Sequence, residues 1–167
     1  MIDRFINLLG EATARIQAQY FHLPVAGLED AIYRERVYTY ELYHQLRLLL
    51  DAEDRFREYA LGGEVDKSGH PVIRRCAPDF VLHIPGRMTN LAVVEVKPIN
   101  ADAEGLRKDK QTLEYFVSNE VRYQLGIELV YGDGEANLAR FAQLYADAPE
   151  RIQLFWHRRP GAPAVRV

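Results

Sequence analysis

Three residues near the middle of the chain have side chains suited to binding a metal ion and acting on a phosphate group. Asp79 follows Pro78 and begins an apolar run, whereas Glu95 and Lys97 end a second apolar run at residues 91–97. Carboxylate oxygens are the ligands that hard cations such as Mg²⁺ and Mn²⁺ prefer. A lysine beside them supplies a positive charge. These three residues are therefore the first candidates for metal-assisted chemistry.

The spacing of the two apolar runs predicts an antiparallel hairpin that brings the carboxylates together. If Ile84 pairs with Asn90 across a five-residue connector at residues 85–89, Asp79 lies opposite Glu95. Opposed residues in such a pair have Cβ atoms about 4.5–5.5 Å apart, so two carboxylates there repel each other unless a cation binds them. In this register, the same face also carries the pairs Val81–Val93 and His83–Leu91, followed by Lys97.

The other face of the predicted hairpin is apolar throughout. A face without polar side chains belongs in the core, so we expect one face of the hairpin to pack and the other to carry the chemistry. The apolar residues are Phe80, Leu82, Ile84, Ala92, Val94 and Val96.

The elements around the hairpin predict one α/β domain over residues 1–167, with a mixed central sheet flanked by helices and a helical extension at about residues 1–35. Helical spacing predicts helices at residues 2–20, from residue 28 or 36 to 52, at 101–117 with Asn100 as N-cap, and from a cap at Asp133 to 146. Short apolar runs predict strands at residues 56–65, 71–76, 79–84, 91–96, 123–131 and 152–157.

Pro78-Asp79 followed by Glu95-Val96-Lys97 resembles the PD-(D/E)XK, or restriction-endonuclease-like, nuclease superfamily, whose α-β-β-β-α-β core has the element order predicted above. Upstream, Glu41 is similar to the acidic residue that many members place on their first core helix. Downstream, Gln111-Thr112-Leu113-Glu114-Tyr115 resembles the Q-x-x-x-Y motif of the recombination exonuclease branch. The resemblance covers about residues 36–131.

The resemblance implies a nuclease that hydrolyses phosphodiester bonds, in DNA rather than RNA, with one or two Mg²⁺ or Mn²⁺ ions as cofactor. Asp79, Glu95 and the carbonyl of Val96 would hold the ions, and Glu41 would help directly or through water. The metal would lower the pKa of a bound water and neutralise charge on the phosphate. Lys97 would orient or deprotonate that water, or stabilise the pentacoordinate phosphorus.

The helix predicted after the hairpin has a polar stripe. At 100° per residue, Lys108, Gln111 and Tyr115 fall within about 60° of one another, and we expect them to contact nucleic acid. The opposite side of this helix should pack on the sheet through Leu106, Leu113 and Val117.

Each candidate also has an ordinary structural explanation. Glu95 and Lys97 could be the charged positions of an exposed strand, Asp79 could simply begin a strand, and most helical glutamates such as Glu41 are solvated. The alternative function is therefore a non-catalytic module that keeps the nuclease fold and binds nucleic acid or a protein. Another phosphoryl-transfer enzyme using the same carboxylates is a third possibility.

Composition limits the partners and the location. The net charge of −3 lacks the basic signature of a duplex-binding protein, so a homo-oligomer or a partner protein would have to supply basic surface. Cys76 is the single cysteine, which excludes an intrachain disulfide and a Cys-rich zinc site. No apolar run approaches the roughly 18 residues needed to cross a bilayer, and the N-terminus lacks a secretory signal. We expect no membrane contact and an intracellular, cytoplasmic location.

Overall fold

The computed structural model describes residues 1–63 and 77–167, and these residues build a mixed sheet whose strands follow one another in chain order. β1 to β3 pair antiparallel, β3 to β5 pair parallel, and β6 returns antiparallel to β5. The strands are β1 (Ala60–Gly63), β2 (Phe80–Ile84), β3 (Thr89–Pro98), β4 (Leu125–Tyr131), β5 (Ile152–His157) and β6 (Val165–Arg166).

Helices cover both faces of the sheet. Parallel neighbours need a crossover connection, and a helix supplies it between β3 and β4 and again between β4 and β5. The helices are α1 (Ile2–Ala14), α2 (Ala18–Phe21), α3 (Glu35–Asp51), α4 (Ala103–Val117) and α5 (Glu135–Tyr145), with a 3₁₀ turn at Asp54–Phe56. The predicted mixed central sheet flanked by helices is confirmed. In the described ranges, no helix is both long enough and apolar enough to span a bilayer.

Both faces of the β2–β3 hairpin are packed. The predicted apolar face joins the main core cluster with residues of α1 and α3, except for Ile84, which is only partly buried. On the other face, Val81 and Val93 are buried in a second cluster with Leu113 and Phe116 of α4. The expectation that one whole face is left for chemistry is therefore wrong, because the crossover helix α4 must itself bury an apolar stripe on the sheet. Within strands β2 and β3, the acidic and basic side chains other than His83 are Glu95 and Lys97, near the end of β3.

The predicted register is correct for the first half of the hairpin and wrong for the second. Val81 pairs with Val93 as expected, but a bulge at Leu82–His83 shifts the pairing. His83 then lies opposite Asn90, not Leu91. A bulge places an extra residue in one strand, and here it allows Leu91 to enter the main core cluster. The same shift pairs Ile84 with Thr89, so the connector has four residues.

Several predicted boundaries also move. The first helix ends at Ala14, and the short α2 follows it. The N-cap of α4 is Asp102, not Asn100, because the Asp102 carboxylate accepts from the N–H of Gly105 at 2.7 Å. Asp133 does not cap α5; its carboxylate accepts from Arg158 Nε at 3.0 Å. The predicted strand at residues 71–76, the end of the one predicted at 56–65, and Cys76 lie outside the described residues.

Candidate active site

Asp79 and Glu95 meet at the start of β2, as the hairpin predicts. The backbone N–H of Val96 donates to Oδ2 of Asp79 at 2.7 Å. In return, the backbone N–H of Asp79 donates to Oε2 of Glu95 at 3.3 Å. These two hydrogen bonds join the residue before β2 to the second half of β3, so they fix the two acidic residues next to each other. The carbonyl of Val96, the third expected ligand, lies 3.5 Å from Nζ of Lys97.

Lys97 connects three elements of the fold. Its Nζ lies 3.0 Å from Oε2 of Glu35 at the start of α3 and 3.1 Å from Oδ2 of Asp109 on α4. Burial alone would lower the pKa of Lys97, but the carboxylates of Asp109 and Glu35 raise it above its usual value. Lys97 is therefore a fixed ammonium in this arrangement. Of the roles expected for it, orienting water and stabilising negative charge fit this state, whereas deprotonating water does not.

A further carboxylate, that of Glu128, belongs to β4 and lies beside Glu95 in the sheet. The parallel register pairs Glu95 with Glu128, whose side chain is 0% exposed. Its Oε2 accepts from the hydroxyl of Tyr145 on α5 at 2.7 Å. Its Oε1 is buried without a hydrogen-bond partner in the described part of the chain. A buried carboxylate oxygen without a partner is costly, and a proton or a cation on this group would relieve that cost.

The site concentrates negative charge in a buried place. Burial raises the pKa of Asp79 to about 6, although the N–H of Val96 and the ammonium of Lys97 oppose this rise. Burial also raises the pKa of Glu95, and the surrounding carboxylates, beginning with that of Asp79, raise it further. Since Lys97 is already shared by two other carboxylates, Asp79 and Glu95 must either hold protons or bind a cation.

Sequence reasoning missed three of these acidic residues. Asp109 was detectable, because helical spacing places it between Leu106 and Leu113 on the apolar face of α4, where a solvated acid would not lie. Glu128 was also detectable, as the one charged residue within the apolar strand Leu125–Tyr131. Glu35 had no local signal, since an acid in the first turn of a helix is common.

Glu41, expected as an additional ligand, is not among the residues brought together here. Its Oε1 accepts from Nε2 of Gln45 at 2.7 Å. Thr39 and Tyr43 face a pocket beside Asp79, and Glu41 lies about 160° around α3 from each of them. The α3 carboxylate that contacts Lys97 is that of Glu35.

The expected polar stripe on α4 is only partly on the surface. Lys108 and Gln111 are exposed and line one shallow groove. Tyr115 is half-buried and packs edge-on against Phe116, with ring centroids 6.1 Å apart. The residues expected on the packed side of this helix, Leu106, Leu113 and Val117, are all buried.

The side chains at this site are of the type that binds a hard cation, but they are too few to surround one. Within residues 1–63 and 77–167, no three His, Cys, Asp or Glu side chains are grouped so that they could hold an ion. Mg²⁺ does not need such a cage, because it keeps several waters and is commonly held by one or two carboxylates. Asp79 and Glu95, with the carbonyl of Val96, supply a donor set of that kind.

Comparison with known proteins adds no family assignment. The chain matches no protein-family model and no curated protein sequence. What the site can do is therefore judged from its own residues.

Proposed function

We propose that this chain is a metal-dependent nuclease that hydrolyses phosphodiester bonds, with DNA as the preferred substrate. Asp79 and Glu95 would hold Mg²⁺ or Mn²⁺, and Lys97 would act beside them. The observation that carries this proposal is the pair of hydrogen bonds that ties the two acidic residues together: the N–H of Asp79 donates to Oε2 of Glu95 at 3.3 Å, and the N–H of Val96 donates to Oδ2 of Asp79 at 2.7 Å. Neighbouring like charges in a buried place are unfavourable, and a cation that binds both relieves the repulsion.

The element order also supports the proposal. α3, β1, β2, β3, α4 and β4 follow one another along the chain, with β1 to β3 antiparallel and β4 parallel to β3. This is the α-β-β-β-α-β order that the resemblance to the PD-(D/E)XK superfamily implies. Asp79 immediately precedes the second strand of that order, and the Glu95–Lys97 segment lies in the third.

Asp79 and Glu95 would bind the metal ion, and Lys97 would stabilise negative charge on the phosphate. A bound ion supplies an activated water and neutralises the phosphate. Asp79 and Glu95 orient the ligand oxygens, because their backbone hydrogen bonds fix them relative to each other. Lys97, held by Glu35 and Asp109, presents its ammonium to charge that develops on the phosphate.

The alternative is a non-catalytic module that keeps this fold and binds nucleic acid or a protein. Two ion pairs already neutralise Lys97, and this observation favours that alternative. The net charge of −3 is also low for a protein that binds phosphates unaided, so a second copy or a partner protein remains part of the proposal.

Cleavage of single- and double-stranded DNA and RNA, measured with Mg²⁺, with Mn²⁺ and with chelator, tests the proposal. We expect metal-dependent cleavage that falls by at least about 100-fold in Asp79→Asn, which weakens a proposed metal ligand, and in Lys97→Ala, which removes positive charge beside the reacting phosphate. Asp51→Asn, an exposed acid at the end of α3, is the control and should cleave as the wild type does. Cleavage by Asp79→Asn at the wild-type rate would contradict the proposal, and binding without cleavage would favour the alternative.

A further inference from the structure

An open pocket lies directly beside Asp79, between α3 and the ends of β1 and β2. Its volume is about 270 Å³. Because Asp79 forms part of its wall, anything that fills this pocket lies next to the proposed metal ligands. Its lining residues are Thr39, Tyr40, Tyr43, Gly63, Asp79 and Phe80.

Two tyrosines line the pocket, and one is held in place by its contacts whereas the other is exposed. The hydroxyl of Tyr43 donates to the carbonyl of Leu61 at 3.0 Å, and its ring lies 5.9 Å from that of Phe80. Tyr43 is therefore held in place. Tyr40 is 58% exposed, although a large aromatic side chain is normally more buried. Its ring is available to a planar ligand.

Thr39 adds a polar group to this pocket. Its side chain is 4% exposed, and its Oγ1 has no hydrogen-bond partner within the described ranges. A threonine in a helix usually bonds a carbonyl of the preceding turn, and an unpartnered buried hydroxyl is unfavourable. Rotation about χ1 that turned this hydroxyl toward the pocket would give it a partner on a ligand with a polar edge.

The charge of the pocket indicates which part of a nucleotide it would take. None of the lining residues that the structure describes is basic, and Asp79 is acidic. This part of the wall therefore offers a phosphate no charge partner of its own, whereas a neutral base needs none. Bases bind proteins without sequence readout by stacking on exposed aromatic rings, and a base inside a duplex must first leave its stack to do so.

We propose that this pocket is a subsite for one unpaired base, stacked on Tyr40, of the strand whose phosphate lies at Asp79. This inference rests on the proposed nuclease function and deepens it. The substrate is then single-stranded nucleic acid, or an unpaired end or flap, and not intact duplex. Duplex can enter only where its bases are already unstacked.

Binding in the presence of chelator tests the subsite apart from catalysis. The probes are a labelled single-stranded DNA oligonucleotide, the same strand with abasic residues throughout, and a blunt duplex. We expect wild type to prefer the normal single strand, and Tyr40→Ala to weaken that binding by about 5- to 150-fold, the range for loss of one stacked base. Tyr40→Phe should bind within about threefold of wild type, because the ring that stacks remains.

The matched control is Leu48→Ala, which removes a side chain of similar exposure from the same helix, outside the pocket. It should bind as wild type does, and Tyr40→Ala should have no effect on the abasic strand. Thr39→Val removes the unpartnered hydroxyl while keeping the shape, and we expect about 2- to 10-fold weaker binding of the normal strand without a lower melting temperature.

The outcomes separate this subsite from the proposed activity. If wild type binds and cleaves nucleic acid but Tyr40→Ala binds the normal strand as Leu48→Ala does, the subsite is wrong and the nuclease proposal stands. Equal wild-type affinity for normal and abasic strands would also overturn the subsite. If wild type neither binds nor cleaves any nucleic acid, both proposals are wrong.

Discussion

The two faces of the sheet bury polar atoms in different ways. Toward α2 and α3, a group of neutral aromatic side chains carries buried polar atoms: Tyr38 stacks on Tyr131 at 3.8 Å, and its hydroxyl lies 2.8 Å from Nδ1 of His157. Toward α4 and α5, the buried polar groups include the carboxylates of Glu95, Asp109 and Glu128. We name these groups the aromatic cluster and the carboxylate cluster.

The aromatic cluster contributes to the stability of the fold, whereas we propose that the carboxylate cluster serves the function. A neutral ring buries a large apolar area, and an unpartnered neutral atom, such as the Tyr131 hydroxyl among the described residues, costs less than a buried charge, so the aromatic cluster stabilises the fold. A buried carboxylate needs a charge partner, and in the second cluster Lys97 is engaged by Glu35 and Asp109. We therefore expect binding of a cation to improve an unfavourable arrangement in the carboxylate cluster.

The largest expected effect is on the aromatic cluster. Phe21 is buried, and its ring packs edge-on against those of Tyr38, Tyr131 and His157. Phe21→Ala should lower the free energy of unfolding by about 3–5 kcal/mol, because it leaves a cavity among these rings. Denaturant titration measures the loss. A loss below about 1 kcal/mol would show that this cluster does not stabilise the fold as we infer.

Metal ions should act on the carboxylate cluster alone. A cation that binds only the folded protein stabilises it by about 2.7 kcal/mol at 100 times its Kd, which raises the Tm of a chain of this size by about 5–11 °C. We expect Mg²⁺ or Mn²⁺ to raise the Tm of wild type in this way. An Asp79→Asn, Glu95→Gln double variant should show no rise, and without metal it should be at least as stable as wild type because the repulsion is gone.

Phe21→Ala is the control for this measurement, since it leaves both carboxylates in place and should show the same metal-induced rise from a lower Tm. If metal raises the Tm of the double variant as much as that of wild type, the ions bind elsewhere and the proposed ligands are wrong.

The two clusters should respond to pH with opposite signs, and these are the smallest expected effects. Burial lowers the pKa of His157 from 6.5 to about 4. Between pH 4 and pH 6.5, unfolding is therefore accompanied by uptake of a proton. His157 contributes stability that is present above pH 6.5 and is lost as pH falls toward 4. The loss is about 2 kcal/mol at pH 5. His157→Gln should therefore lose less stability than wild type between pH 7 and pH 5.

Glu128 should act in the other direction. Burial raises its pKa well above 4.5, so its contribution is fully present below pH 4.5 and is lost as pH rises through the folded value. Glu128→Gln removes this titration while keeping an acceptor for Tyr145. The fall in stability from pH 5 to pH 8 should therefore be smaller in this variant than in wild type. An equal fall in both proteins would mean that Glu128 does not titrate in this range.

The sequence alone determined the parts of the site that lie close together along the chain. Alternation of apolar residues set the pairing of Val81 with Val93, because a shift of one residue would have turned the apolar face outward. From that pairing it followed that Asp79 and Glu95 meet and that Lys97 extends on the same face. The buried face of α4 followed from helical spacing in the same way.

The tertiary structure decided the contacts between distant elements, and these determine the state of the site. Glu35 reaches Lys97 across 62 positions, and Tyr145 reaches Glu128 across 17. The bulge after Leu82 arises where Leu91 enters the core and Asn90 donates to the carbonyl of Val121. Such contacts depend on where each helix packs on the sheet. Periodicity shows which face of a helix is buried, but not which residues of another element it meets.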